Sequence, residues 1–286
     1  GSPISVTPAT TTVYTVTARD VDNCSATATT SVTVTPVPIA SATAQTICSG
    51  NSFSVTPTSN IVGTTYTWTA ALQSGTATGF TNQASAVSGP ISQTLTNTTT
   101  TSAVVRYTVT PYNGICAGAT FTFDVTVRPA IVITNPGPQT ICSGTAFSRT
   151  PTSNIAGTTY TWTAAITTTP TSGTISGFSD NSVASAAPIT QTLTNSGTTS
   201  GVVTYTVTPV ANGCNGTPFT FAITVQPTIV ITNPGPQTIC SGSSFSRAPA
   251  SNISGTTYTW TAAITTTPTS GTITGFSNNE VASSPP

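Results

Sequence analysis

The sequence predicts an all-β chain of small two-layered sandwich modules in tandem, and three observations carry that prediction. One segment recurs almost letter for letter: SNIVGTTYTWTAA at 59–71, SNIAGTTYTWTAA at 153–165 and SNISGTTYTWTAA at 251–263. Within each copy, aromatic and aliphatic residues alternate with threonine, the period of a half-buried strand. Helical periodicity is absent, and 22 glycines and 22 prolines punctuate the 286 residues, as expected of short strands and turns.

The ICSG tetrads at Ile47, Ile141 and Ile239 set a repeat of 94 and then 98 residues. That is too long for a solenoid unit and suits a string of complete domains. The four extra residues lie in one place: ALQSGTATGF in the first copy becomes AITTTPTSGTISGF in the second. A segment that tolerates such a change reads as a loop or an edge excursion. For residues 130–227 the pattern gives seven strands: IVIT, AFSRTP, TYTWTAA, GTISGF, PITQTLTN, VVTYTVTP and FTFAITV. In these, Tyr160 and Trp162 oppose Thr159, Thr161 and Thr163; Val203, Tyr205 and Val207 oppose Thr204, Thr206 and Thr208. Phe219, Phe221, Ile223 and Val225 alternate with Thr220, Ala222 and Thr224. Threonine should face water, and Trp68, Trp162, Trp260, Tyr107 and Tyr205 should lie in the core. Seven short strands with a tryptophan on the third match an immunoglobulin-like sandwich. ANGCNG reads as the hairpin before the last strand. The expected organisation is the C-terminal part of a module at 1–36, complete modules at 37–129 and 130–227, and the N-terminal part of another at 228–286.

Cys24, Cys48, Cys116, Cys142, Cys214 and Cys240 occupy two recurring positions, the ICSG tetrad and the last hairpin. The spacing lacks close ligand pairs and the chain has no histidine, which argues against zinc. Disulfides in an oxidising compartment are the economical reading, with buried free thiols as the alternative. Two connectivities are open: Cys48–Cys116 and Cys142–Cys214 within modules, or Cys48–Cys214 across a junction. The second is favoured because the two turns of one sandwich lie at opposite ends, roughly 25 Å apart along an eight-residue strand, against about 7 Å for a disulfide.

Charge is nearly absent: five arginines, no lysine, and Asp20, Asp22, Asp124, Asp180 and Glu280. Clusters of basic residues that would draw nucleic acid or an anionic membrane surface are missing, and no run approaches the length of a membrane helix. No acid recurs between copies: Asp124 aligns with Ala222, Asp180 with Asn278, and Glu280 with Ser182. Paired-carboxylate chemistry therefore has no repeated site, and serine or threonine has no histidine to activate it. Asp20 and Asp22 alone are a weak calcium signal. The expectation is a non-catalytic chain with no cofactor and no metal. Stacking of the tryptophans on sugars and ice binding by the threonine rows are less favoured, because alternation places tryptophan inward and sandwich sheets twist.

With the tetrad (Cys48, Ser49, Gly50), the Trp68 strand, Cys116 and their later copies assembled, the chain resembles PKD-like and immunoglobulin-like repeats. Such repeats occur in very large Bacteroidota surface adhesins of the gliding-motility type, exported by the type IX route. The resemblance implies an extracellular or cell-surface location. WTAA stands where standard PKD domains carry an acidic WDFGDG-type turn. The expected function is a structural stalk segment giving reach and stiffness and packing with copies of itself. Its partners would be neighbouring modules of the same chain and homotypic filament contacts. The alternative is a row of weak glycan- or surface-binding modules acting by avidity.

Overall fold

The computed structural model describes residues 3–283, and every regular element among them is a strand. The fold is a tandem array of immunoglobulin-like β-sandwich modules. Contacts divide the chain into two units, 1–130 and 131–286, each holding one closed sandwich.

In the first unit the larger sheet runs, in order, Gln45–Cys48, Phe121–Arg128, Ala103–Asn113, Thr65–Ser74 and Gln83–Val87. The facing layer pairs Ser52–Val55 with Ile91–Thr94, and Ala40–Ser41 with Thr58–Ser59. The second unit repeats the plan with Gln139–Cys142, Phe219–Gln226, Gly201–Ala211, Thr159–Thr168 and Asn181–Ser185. Opposite them, Ile189–Asn195 pairs with both Thr145–Arg149 and Ile175–Ser176. The two-residue strand Ile175–Ser176 lies within the segment that carries the four extra residues, an edge excursion as expected.

Alternation dictates the layers. Along Ala103–Asn113, the alanine, Val105, Tyr107 and Val109 are fully buried while Arg106 and Thr108 are exposed. Tyr107 stacks on Phe123 at 5.0 Å and 9°, and meets Phe53 edge-on at 5.2 Å. Tyr205, Phe221 and Phe147 reproduce the cluster at 5.1 Å for both contacts. Such pairs add about 0.5–1.5 kcal/mol each beyond the area they bury. The hairpin closes at Asn212 and Gly213, both at positive φ, the combination a tight two-residue turn requires.

Two strands escape the pattern reading. Gln139–Cys142 runs parallel to Phe219–Gln226, so the cysteine ends a short strand of its own just before Thr145–Arg149. Asn181–Ser185 pairs along the outer edge of the Trp162 strand. Both are short, and Asn181–Ser185 is polar, so neither gives a periodic signal.

Thr12–Arg19 and Ser25–Val32 make a lone hairpin. Among the described residues beyond 228, Ile231–Thr232 pairs with Ala250–Ser251 and Tyr258–Trp260 with Asn279–Ser283. Trp260, expected in the core, is 41% exposed: among the described residues its strand is paired on one side, by Asn279–Ser283.

Candidate functional site

The tryptophans of the closed modules sit at the rim of the core, half-buried and packed against it. Each is the end of a recurring polar chain. Tyr107 Oη donates to Gln93 Oε1 at 2.7 Å, Gln93 Nε2 donates to Thr81 O at 2.8 Å, and Trp68 Nε1 donates to the same carbonyl at 3.0 Å. In the second unit Tyr205, Gln191, Ser179 and Trp162 do the same at 2.7, 2.8 and 3.1 Å. Burial pushes both phenols well above the ordinary tyrosine range, since the phenolate would lose its hydration. These tyrosines act as neutral donors that fix a glutamine, not as acids or bases.

On the outer face of the same sheet lies a shallow groove. Thr67, Thr69, Thr108 and Thr110 floor it, with Asn82 and Gln83 on its edge, enclosing about 270 Å³. The second copy uses Thr161, Thr163, Thr206 and Thr208 with Asp180 and Asn181, enclosing about 390 Å³. The threonines stand directly opposite across the ladder, Thr69 to Thr108 and Thr67 to Thr110, and Thr163 to Thr206 and Thr161 to Thr208. Trp68 and Trp162 also line the two grooves; threonine hydroxyls and the Asn82, Gln83 and Asn181 amides supply hydrogen-bonding groups, and Asp180 adds a carboxylate to the second copy.

Asp180 has a recurring role that aligning acids alone does not reveal. Its Oδ1 accepts the Ala164 N–H at 2.8 Å, as Asn82 Oδ1 accepts that of Ala70 and Asn278 Oδ1 that of Ala262, each at 2.8 Å. The shared feature is one oxygen that terminates pairing beside the tryptophan, which aspartate and asparagine supply equally. Asn97 and Asn195 were also missed. Both are buried. Asn195 Nδ2 donates to Thr199 O at 2.9 Å and Val225 O at 2.8 Å, and its Oδ1 accepts the Gly197 N–H at 2.8 Å. Its backbone N–H donates to Ser143 Oγ at 2.9 Å, as Asn97 N–H does to Ser49 Oγ at 2.8 Å. The serine of ICSG thus ties the tetrad to the facing layer. The recurrence of TLTN at 94–97 and 192–195 was the available signal.

Cys48 and Cys214 are each disulfide-bonded; Cys24, Cys116, Cys142 and Cys240 carry free thiols. Within the first module, Cys48 stands opposite Arg128 at the end of the last strand, whereas Cys116 stands opposite Asn113 in the hairpin before that strand begins. Seven residues of strand, about 23 Å, separate the two levels, so the within-module bond is geometrically barred.

The remaining charges are structural. Arg106 and Asp124 form a two-pronged cross-strand pair at 2.8 Å for both bonds, and the guanidinium holds the carboxyl below its usual range. The equivalent ladder position pairs Thr204 with Ala222, so the pair belongs to one module only. Asp20 Oδ1 accepts the N–H groups of Asp22 and Cys24, stapling the first hairpin turn. Glu280 is exposed on the last strand. Among the described residues no three of His, Cys, Asp and Glu converge, and no helix is long and apolar enough to cross a membrane.

This twice-built frame of strand order, tyrosine–glutamine–tryptophan chain and ICSG tie coincides with the family assignment. The PKD-like domain model matches residues 45–131 and 139–229, well over half of the chain. The chain belongs to the PKD-like domain family. Among solved structures, it is similar to the first two Ig domains of DIP-gamma, at 7% identity and a TM-score of 0.30, covering 67% of this chain and 98% of that one. Mouse cadherin-23 EC22–24 aligns at 12% identity and a TM-score of 0.30, covering 68% and 67%. The tandem Ig repeats of Dlar align at 13% and 0.24, covering 67% and 98%. No curated protein matches the chain. The matched PKD-like copies begin at the Gln45 and Gln139 strands, so each family unit starts with the parallel strand that carries the tetrad cysteine.

Proposed function

We propose that these PKD-like modules form a non-catalytic structural stalk segment of a long extracellular repeat protein of the surface-adhesin type. The observation that carries this reading is that the core and its polar ties are rebuilt almost contact for contact, 94 residues on before the variable segment and 98 after it, while no titratable constellation is. Selection on such a chain acts on the ability of each unit to fold and to add length. The disulfide-bonded state of Cys48 and Cys214 fits an oxidising compartment outside the cytosol. The resemblance to gliding-motility adhesins of the Bacteroidota supports a bacterial cell surface as the setting. Small-angle scattering on chains of two, four and six modules tests it. The longest dimension should grow in proportion to module number; a dimension that levels off would overturn the stalk.

A second reading is favoured by the repeated threonine groove, whose rows of hydroxyls beside a tryptophan suit hydrogen bonding and stacking with a glycan. Weak binding in each module would sum through repetition. Glycan-array binding by the 286-residue chain, abolished by Thr67→Val with Thr108→Val and their counterparts Thr161→Val with Thr206→Val, would establish it. Binding that survives those changes would remove the groove as the site.

A further inference from the structure

We infer that the groove of the second closed module takes a cationic amino sugar, one unit of a glucosamine-containing glycan, and that Asp180 selects it. The inference deepens the glycan reading and rests on it. The two grooves share a threonine floor but not a charge: Asp180 lines the second, where Asn82 lines the first. The second is also the roomier, at about 390 Å³ against about 270 Å³. Thr167 and Thr204 bond each other at 2.8 Å, whereas the hydroxyls of Thr161, Thr163, Thr206 and Thr208 have no protein partner among the described residues. They are free for a ligand.

The structural duty of position 180 does not call for a charge. Asn82 Oδ1 and Asn278 Oδ1 hold their backbone N–H groups at the same 2.8 Å at which Asp180 Oδ1 holds that of Ala164. The second carboxylate oxygen is surplus to that bond and has no protein partner among the described residues. Nor is its charge compensated on this face. In the first module Arg106 grips Asp124 with two bonds of 2.8 Å, but Thr204 and Ala222 occupy that ladder position in the second. No strand of the second module's larger sheet contains a charged residue. An uncompensated carboxylate beside four free hydroxyls is complementary to a sugar that carries an ammonium group among its own hydroxyls. A metal ion fits poorly, because one carboxylate supplies too few of the oxygens that calcium requires. The pair is exposed, so its share of the affinity is modest, about two- to fivefold.

NMR titration of the full 286-residue chain with glucosamine hexamer and with N-acetylglucosamine hexamer tests the proposal, at about pH 5.5, where the carboxylate is ionised and the amine protonated. The glucosamine hexamer should bind about two- to fivefold tighter and shift the amide signals of Thr206 and Thr208. That advantage should vanish in Asp180→Asn, whose amide oxygen keeps the bond to Ala164, and shrink in about 0.5 M salt. Asp180→Asn combined with Asn82→Asp should move the preference to Thr108 and Thr110. Equal affinity for the two hexamers, or a preference that survives Asp180→Asn, overturns the proposal. So does hexalysine binding as tightly as the glucosamine hexamer, because the groove would then read charge and not sugar. With the N-acetylated hexamer still bound, those outcomes leave the glycan reading standing; silence of both hexamers and of the glycan array removes that reading and the proposal together.

Discussion

Replacing Asn195 by alanine should unfold the second closed module selectively. The change removes the acceptor of the buried Gly197 N–H and a donor to the buried Val225 carbonyl. Thr199, the third partner, is exposed and can turn to water. Leaving a buried polar group without its partner costs about 1–3 kcal/mol, so two such groups give about 4 kcal/mol. A domain near 100 residues is stable by roughly 5–15 kcal/mol, and each kcal/mol shifts its Tm by roughly 4–8 °C. The second module should therefore melt about 15–30 °C lower. Calorimetry of the whole chain provides its own control, because Asn97 and the first module are unchanged. Asn195→Asp separates hydrogen bonding from packing. It keeps the acceptor but buries a carboxylate without a cation, so it should destabilise more than alanine at pH 7 and recover on acidification as the carboxyl takes up a proton. A loss below about 1 kcal/mol for Asn195→Ala, far under the cost of two stranded groups, or an equal shift of both modules, would refute the reasoning.

Stability should be flat across neutral pH, since the chain has no histidine and few acids, and fall in alkali. Tyr107 and Tyr205 ionise more readily unfolded than folded, so stability is full below the unfolded value and declines above it, by about 1.4 kcal/mol per pH unit for each tyrosine beyond about pH 10. Tyr205→Phe should flatten that alkaline slope for the second module alone, as followed by urea midpoints. At low pH the Arg106–Asp124 pair contributes only above the unfolded carboxylate value and is lost as pH falls through the depressed folded one; its exposure keeps the effect small. Gly177→Ala should be severe, because an added Cβ would lie 2.1 Å from Thr192 O, whereas the same change at Gly275 meets nothing within 4 Å and should register only backbone strain. Urea midpoints for the two variants check this. Non-reducing peptide mapping should recover Cys48 and Cys214 in disulfide-linked peptides and Cys24, Cys116, Cys142 and Cys240 in alkylated form; a Cys142–Cys214 peptide would refute that assignment.

The three copies of one sentence separate what the sequence by itself determined from what only tertiary structure decided. Alternation of aromatic residues with threonine was enough to assign the faces of the long strands, since a strand's side chains must point to opposite sides whatever it packs against. It was enough to mark Tyr107 and Tyr205 as core and the ICSG turn as a fixed landmark. The buried asparagines and the Asx oxygen beside each tryptophan were hidden because their value lies in partners distant in sequence: Asn195 reaches Val225, 30 residues on. The strands themselves show the same limit. QTIC is a strand at Gln45–Cys48 and at Gln139–Cys142 but is irregular at 237–240. AFSR is extended and paired as part of Thr145–Arg149, while the nearly identical SFSR at 244–247 is unpaired. By contrast NEVAS at Asn279–Ser283 pairs with the Trp260 strand as its counterparts pair with theirs. A strand's backbone groups find no satisfaction within the strand, so its existence is a property of the pair. Local sequence wrote which side would be dry; the neighbouring strand, where present, decided whether there was a sheet at all.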